Sequence, residues 1–307
     1  MGGAAYRYLH FDVFTNRPFE GNQLAVFLDA RGLGAVEMLA IAREMAFSES
    51  TFIFPKEDER TDVRMRIFTP GNELPMAGHP TIGSTFALAR EGTIASASRR
   101  FVFGLGVGPV PVDLEWKADG TLEFAWMTQS RPTFGPVAHD VNGLAEALGV
   151  AAADILQTKL PVQEISCGLP FLFVPMATRG AIDRAQLNQV GLAAFHRQAG
   201  YDEELPVFLF SPEAGNDDAT VYSRMFAPGF GMTEDPATGG ASGPLGCYLV
   251  RHGVVRPSHA KEIISRQGVK MGRPSRIHVA IGTEGSEITD VKVGGTAVFV
   301  GEGTLRV

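Results

Sequence analysis

Three places in this sequence carry residues suited to moving protons. His79 stands in AGHPTIG, at the edge of an apolar helical stretch. Glu234 and Asp235 sit side by side in TEDPATGG, again just ahead of a Gly-rich helix start. Glu49 lies in FSESTFIF, between a helical pattern and an apolar strand, flanked by Phe47 and Phe52. A carboxylate or imidazole beside a helix start is a proton carrier placed next to backbone N–H donors that attract an anion. Each residue also has an ordinary reading. Asp before Pro is a common helix cap, and a turn histidine often bonds only to backbone. Glu49 is either solvated at a turn or partly desolvated, and desolvation would raise its carboxyl toward the acid–base range.

The surroundings of His79 and Asp235 are repeated. RIFTPGNELPMAGHPTIG (66–83) and RMFAPGFGMTEDPATG (224–239) both open Arg-apolar-Phe-x-Pro-Gly and both close with a polar residue, Pro, two residues and Gly. The arginines are 158 residues apart (224 − 66), and His79 and Asp235 are 156 apart (235 − 79). A period this long marks one duplicated unit rather than a solenoid. It predicts two pseudo-equivalent domains, each a sheet around its own apolar helix, because a helix apolar on most faces belongs inside a protein. It also sets His79 against Asp235 as matching points, each just before a helix N-terminus. Two such N-termini facing one cleft would hold an anion through N–H donors and macrodipoles. Carboxylate suits them better than phosphate, since neither turn carries Lys or Arg.

Periodicity places helices over 36–45, 80–90, 141–148, 192–198 and 245–251, with strands filling much of the remainder, among them 6–14, 23–28, 51–54, 63–68, 207–210 and 221–226. GLGVGP (104–109) faintly suggests a dinucleotide loop, but no helix follows it, so a Gly-rich hairpin is expected. SRPTFGP (130–136) reads as a linker. The domains expected are therefore 1–129 and 130–307, with the final strand a candidate to pack back on the N-terminal domain.

Bulk properties exclude several functions. A net charge of −7 without a basic run argues against nucleic acid and anionic membrane as partners. No apolar run approaches membrane-spanning length, no signal peptide opens the chain, and Tyr6 stands where N-myristoylation needs Ser or Thr after Met1-Gly2. Two cysteines, Cys167 and Cys247, offer neither a disulfide framework nor metal spacing, and a cytoplasmic location is the simple expectation. The histidines show no metal spacing either, so no metal is expected.

DVFTNRPFEGNQLAVF (12–27), SESTF (48–52), FTPGNELPMAGHPTIG (68–83), CGLPFLFVP (167–175), EDPATGGASGPLGCYL (234–249) and RQGVKMGRPSRIHV (266–279) together resemble the PhzF-like family of phenazine biosynthesis, in the family's order and across nearly the whole chain. The resemblance implies the diaminopimelate epimerase-like α+β fold: two pseudo-symmetric domains, each a curled, mainly antiparallel sheet around a central helix, with the site between them. It implies isomerase-type proton transfer without metal, pyridoxal phosphate or nucleotide, and a homodimer. The family's acid–base glutamate falls on Glu49, its cleft histidine on His79 and its cleft aspartate on Asp235. Substrate binding falls on Asn22, Gly78, Gly239, Gly240 and Ser242. One departure is plain: the family's serine after DPATG is Gly240 here, with Ser242 two residues on. Racemases of this fold use a cysteine at each helix start, and neither cysteine of this chain lies there. The expected activity is a cofactor-independent isomerase that moves a proton on a small carboxylic acid. An amino-acid epimerase or racemase, and a non-catalytic small-molecule binding protein that kept the fold, are the alternatives.

Overall fold

The computed structural model describes residues 3–201 and 203–307; the Met1-Gly2 start lies outside them. The chain forms two compact units, one of Met1–Gln129 with Lys292–Val307, the other of Ser130–Val291. The first unit opens with β1 (Ala5–Val13), β2 (Asn22–Phe27), α1 (Ala35–Met45), β3 (Glu49–Pro55), β4 (Val63–Phe68) and β5 (Glu73–Leu74). It continues with α2 (Gly78–Arg90), β6 (Arg100–Leu105), β7 (Gly108–Trp116) and β8 (Leu122–Thr128). The second unit has β9 (Thr133–Val137), α3 (Val141–Leu148), α4 (Ala152–Leu156), β10 (Gln163–Ser166), β11 (Pro170–Pro175), α5 (Arg179–Arg184), α6 (Gln189–Ala199), β12 (Val207–Ser211) and β13 (Val221–Ala227). It goes on through β14 (Met232–Asp235), α7 (Gly239–Arg251), β15 (Ile263–Gln267), β16 (Ser275–Glu284) and the start of β17 (Glu287–Gly295). The end of β17 and β18 (Ala297–Arg306) belong to the first unit. There β18 runs antiparallel along the whole of β1, from Ala5↔Arg306 to Val13↔Ala297, and Lys292–Gly295 pairs with β8.

The same wiring occurs twice. β2 is parallel to β3, and β11 is parallel to β12. β3 pairs antiparallel with β4 as β12 does with β13. The far edge of β4 is then shared: β6 pairs parallel at Val63 and Arg64, and β5 antiparallel at Ile67 and Phe68. The far edge of β13 is shared likewise by β15 at Val221 and Tyr222 and by β14 from Met225 onward. The strand that leads into each central helix therefore ends against the tip of β6 or β15.

Each sheet buries two faces. One face wraps a central helix: Gly78 to Leu88 of α2 are buried without a break, as are Ala241 to Leu249 of α7. The other face is covered by α1, on a core that includes Phe27, Phe52 and Phe68, or by α3, α5 and α6, on one that includes Leu172, Leu209 and Phe226.

Several boundaries differ from those read in the sequence. α7 begins at Gly239 rather than Leu245. Its Gly-Gly-Ala-Ser-Gly-Pro start has low helix propensity, and packing overrides it: a Cβ on Gly246 would lie 2.6 Å from Val279 Cγ1, so small residues let the helix sit close to β16. α2 begins at Gly78 rather than Pro80, which puts His79 inside the first turn rather than before it. The proposed linker contains β9, which pairs with β10. Glu49 is the first residue of β3, not part of a solvated turn. GLGVGP forms the β6–β7 hairpin. Among the described residues, no helix is long and apolar enough to cross a membrane.

Candidate active site

In the first unit, three element ends bring Asn22, Glu49 and His79 together. Asn22 opens β2, Glu49 opens β3, and His79 is the second residue of α2. All three are buried. His79 Nδ1 lies 3.0 Å from Glu49 Oε2 and 3.1 Å from Asn22 Nδ2. A ring nitrogen has either one proton or one lone pair to offer. It therefore donates to Glu49 or accepts from the Asn22 amide, and moving one proton between Glu49 and His79 switches its role. Gly78 stands at the helix start, and the residue before it, Ala77, supplies no side-chain cap. The first-turn N–H groups of α2 therefore face no cap oxygen from that residue.

In the second unit, β14 carries both carboxylates, and alternation sends them to different partners. Glu234 meets the Arg224 guanidinium in a two-point pair at 2.8 Å and 2.8 Å, while Arg224 also donates to the carbonyls of Ile182 and Ala185 at 2.8 and 3.0 Å. Asp235 is 3 % exposed and accepts from the Thr238 hydroxyl at 2.5 Å. Thr238 precedes α7 but does not cap it; its hydroxyl turns to Asp235 instead. Gln267, at the tip of β15, reaches back to the turn between Asp235 and Thr238 with three hydrogen bonds. Gly239 and Gly240 open α7. A Cβ at Gly240 would meet only Phe171 Cζ, at 3.7 Å, so a Cβ has room there. Ser242 is fully buried and donates to Thr238 O at 2.9 Å, so its hydroxyl proton is used within the helix.

The strand registers also correct the match between His79 and Asp235. Ile67 faces Leu74 and Phe68 faces Glu73, whereas Met225 faces Asp235 and Phe226 faces Glu234. Glu73 is thus the counterpart of Glu234, and Leu74-Pro75-Met76-Ala77-Gly78-His79 that of Asp235-Pro236-Ala237-Thr238-Gly239-Gly240. His79 corresponds to Gly240, and Asp235 to Leu74. Carried along β6 and β15, the register pairs Phe103 with Ser265 and hence Leu105 with Gln267. Asp235, Thr238 and Gln267 occupy the places of Leu74, Ala77 and Leu105. By the β2–β3 and β11–β12 registers, Asn22, Glu49 and His79 occupy the places of Leu169, Pro206 and Gly240. Each unit carries its own polar set where the other is apolar or bare. No local sequence pattern marks Thr238 or Gln267; their signal appears only when the two copies are laid on each other by register.

What the copies share is the arginine. Arg66 makes a two-point pair with Glu73 at 2.7 and 2.6 Å, and its guanidinium lies 5.2 Å from the Phe68 ring centroid; Arg224 lies 4.8 Å from that of Phe226. The repeated Arg-x-Phe is a structural clamp on the strand that leads into each central helix.

The model of the phenazine biosynthesis-like protein family, PhzC-PhzF, matches residues 11–303. The chain belongs to this family. A trans-2,3-dihydro-3-hydroxyanthranilate isomerase of Pseudomonas chlororaphis is 35 % identical over 300 residues, covering 98 % of this chain and 99 % of the relative. The crystal structure of a Bacillus anthracis PhzF-family phenazine biosynthesis protein superposes with a TM-score of 0.86 at 27 % identity, covering 99 % of this chain and 100 % of that one. A hydroxyproline epimerase from Agrobacterium vitis shares the fold, with a TM-score of 0.67 at 14 % identity, covering 99 % and 93 %. Relatives named as isomerases, at this identity over nearly the full length, make this PhzF-family chain an isomerase. Its cysteines lie away from both helix starts: Cys247 is in the middle of α7, 4.0 Å from Cys167. A hydrogen bond with Cys167 and burial push the Cys247 thiol well up, away from the thiolate that a cysteine acid–base needs.

Proposed function

We propose that this isomerase works by acid–base chemistry without a cofactor, Glu49 moving a proton between carbons of a small unsaturated carboxylic acid. The contact between Glu49 and His79 carries this reading. Two groups of different proton affinity share one short, buried contact at a helix start, so the proton that leaves the substrate has a place to wait before it returns. Asn22 fixes the ring of His79. Asp235 accepts from a polar substituent of the substrate or orients it, and the first turns of α2 and α7 hold the carboxylate and stabilise negative charge as it develops.

The relatives' substrate is the first compound to test. Incubation of the protein with trans-2,3-dihydro-3-hydroxyanthranilate, and with other small unsaturated carboxylic acids, in heavy water should give an isomerised product carrying deuterium on carbon, seen by NMR. Binding without any exchange across the set would overturn the reading and leave a binding protein.

A further inference from the structure

Gln267 is fully buried, and its amide is oriented by partners that cannot exchange roles. The backbone N–H of Thr238 can only donate, so the atom 3.0 Å from it is Gln267 Oε1. The backbone carbonyl of Asp235 can only accept, so the atom 2.7 Å from it is Nε2. The same Nε2 lies 2.9 Å from Thr238 Oγ1. An amide nitrogen offers no lone pair, so the hydroxyl accepts there and must send its own proton elsewhere. Asp235 Oδ2 is 2.5 Å away. The chain runs one way, from amide to hydroxyl to carboxylate, and each link polarises the next.

We propose that Gln267 is a positioning residue for Asp235: it forces the Thr238 proton onto Asp235 Oδ2, so that this oxygen always accepts and any acid proton on Asp235 resides on Oδ1. Resting on the reading of Asp235 as a substrate-orienting group, this gives the group a fixed rotamer and a fixed polarity.

The fold itself does not require this amide. In the first unit the corresponding position is Leu105, beside Leu74 and Ala77, and the same strand, turn and helix form there without it. The packing of the turn is carried by glycine in both copies. A Cβ on Gly106 would lie 2.8 Å from Pro75 Cα, and one on Gly268 would lie 2.5 Å from Pro236 O. The three polar residues appear as a set in one copy and are absent as a set from the other. That pattern fits a device serving the site rather than one holding the sheet.

The test uses the full chain and needs no ligand for its first arm. The hydroxyl proton of Thr238, seen by NMR through its Hβ, should be shifted downfield and slow to exchange in the wild type. In Gln267→Glu, which keeps an acceptor for the Thr238 N–H but puts an oxygen opposite Oγ1, the hydroxyl should turn away from Asp235 and that resonance should be lost. Thr238→Ser should keep it. Gln267→Leu, the residue the other copy carries, provides a second variant if the glutamate fails to fold; without the amide holding Oγ1 as an acceptor, the hydroxyl resonance should shift upfield and exchange faster. A hydroxyl resonance unchanged in the folded Gln267 variant would overturn the assignment.

The second arm uses trans-2,3-dihydro-3-hydroxyanthranilate. Gln267→Glu and Thr238→Val should each lower kcat roughly tenfold or more with KM little changed, and the double variant should lose no more than the worse single one. Additive losses would contradict the one-way chain. If the wild type turns nothing over, the isomerase reading of this site fails, while the hydroxyl resonance still decides the role of Gln267.

Discussion

His79 offers one ring nitrogen to two neighbours, and the consequences of that can be measured. Replacing it by Gln keeps a polar group near Glu49 but removes the ring that, in the proposed function, takes the proton. Deuterium exchange should fall by about a hundredfold while ligand binding persists, and exchange within a factor of about two of wild type would remove His79 from the proton path. Gly240 allows a different test. Its backbone is ordinary helix and its surroundings are open, so Gly240→Ser should fold without strain. Serine is the better helix former by about 0.5 kcal/mol, so thermal unfolding should shift slightly upward. A fall of more than about 1 kcal/mol would show that the space beside Phe171 is not free. Any change in KM would then come from a hydroxyl newly placed at the helix start.

At the scale of elements, the two arginine clamps share a geometry but differ in burial. Arg224 and Glu234 are 7 % and 14 % exposed in their side chains, against 24 % and 38 % for Arg66 and Glu73. Removing one partner of a buried pair leaves an uncompensated charge, so Glu234→Ala should cost about 3–5 kcal/mol in urea unfolding. Glu73→Ala should cost about 1 kcal/mol or less. Equal losses would contradict the burial difference. Helix α6 brings a pH dependence. His196 is 1 % exposed, and desolvation holds its imidazole below the usual value, with Glu204 opposing in part. The folded state therefore prefers the neutral ring. This contribution is complete above the ordinary imidazole value of about 6.5 and is lost as pH falls below it. The urea midpoint should drop on going from about pH 7.5 to about pH 5.5, and His196→Leu should flatten part of that drop. Much at this scale was legible in the sequence: the duplicated Arg-x-Phe-x-Pro-Gly, the two apolar helices, and Glu49 beside a buried strand. In sequence His79 and Asp235 look equivalent because each precedes a proline. The structural counterpart of Pro236 is Pro75, and only strand register shows that. Gln267 stands 32 residues from Asp235 in sequence. The shared edge of β13 brings it there, and no local pattern reports that.

The whole chain is wired so that its last strand belongs to its first unit. A fragment of residues 1–129 lacks β18 and the end of β17, leaving β1 and β8 each with an open edge. It should show no cooperative melt by circular dichroism, whereas residues 130–291, an uninterrupted unit, should melt cooperatively. A cooperative transition for 1–129 alone would contradict the role given to the C-terminal strand. Duplication followed by divergence has left each unit with one polar set on a common frame: Asn22, Glu49 and His79 in one, Asp235, Thr238 and Gln267 in the other. The proposed function gives the role of proton carrier to Glu49. The most direct measurement is carbon-bound deuterium incorporation from heavy water into trans-2,3-dihydro-3-hydroxyanthranilate, for wild type and Glu49→Gln side by side, with ligand affinity measured on both. Exchange by the wild type, and its loss by a factor of about a thousand in the variant at unchanged affinity, is the predicted result. Full exchange by Glu49→Gln would contradict it.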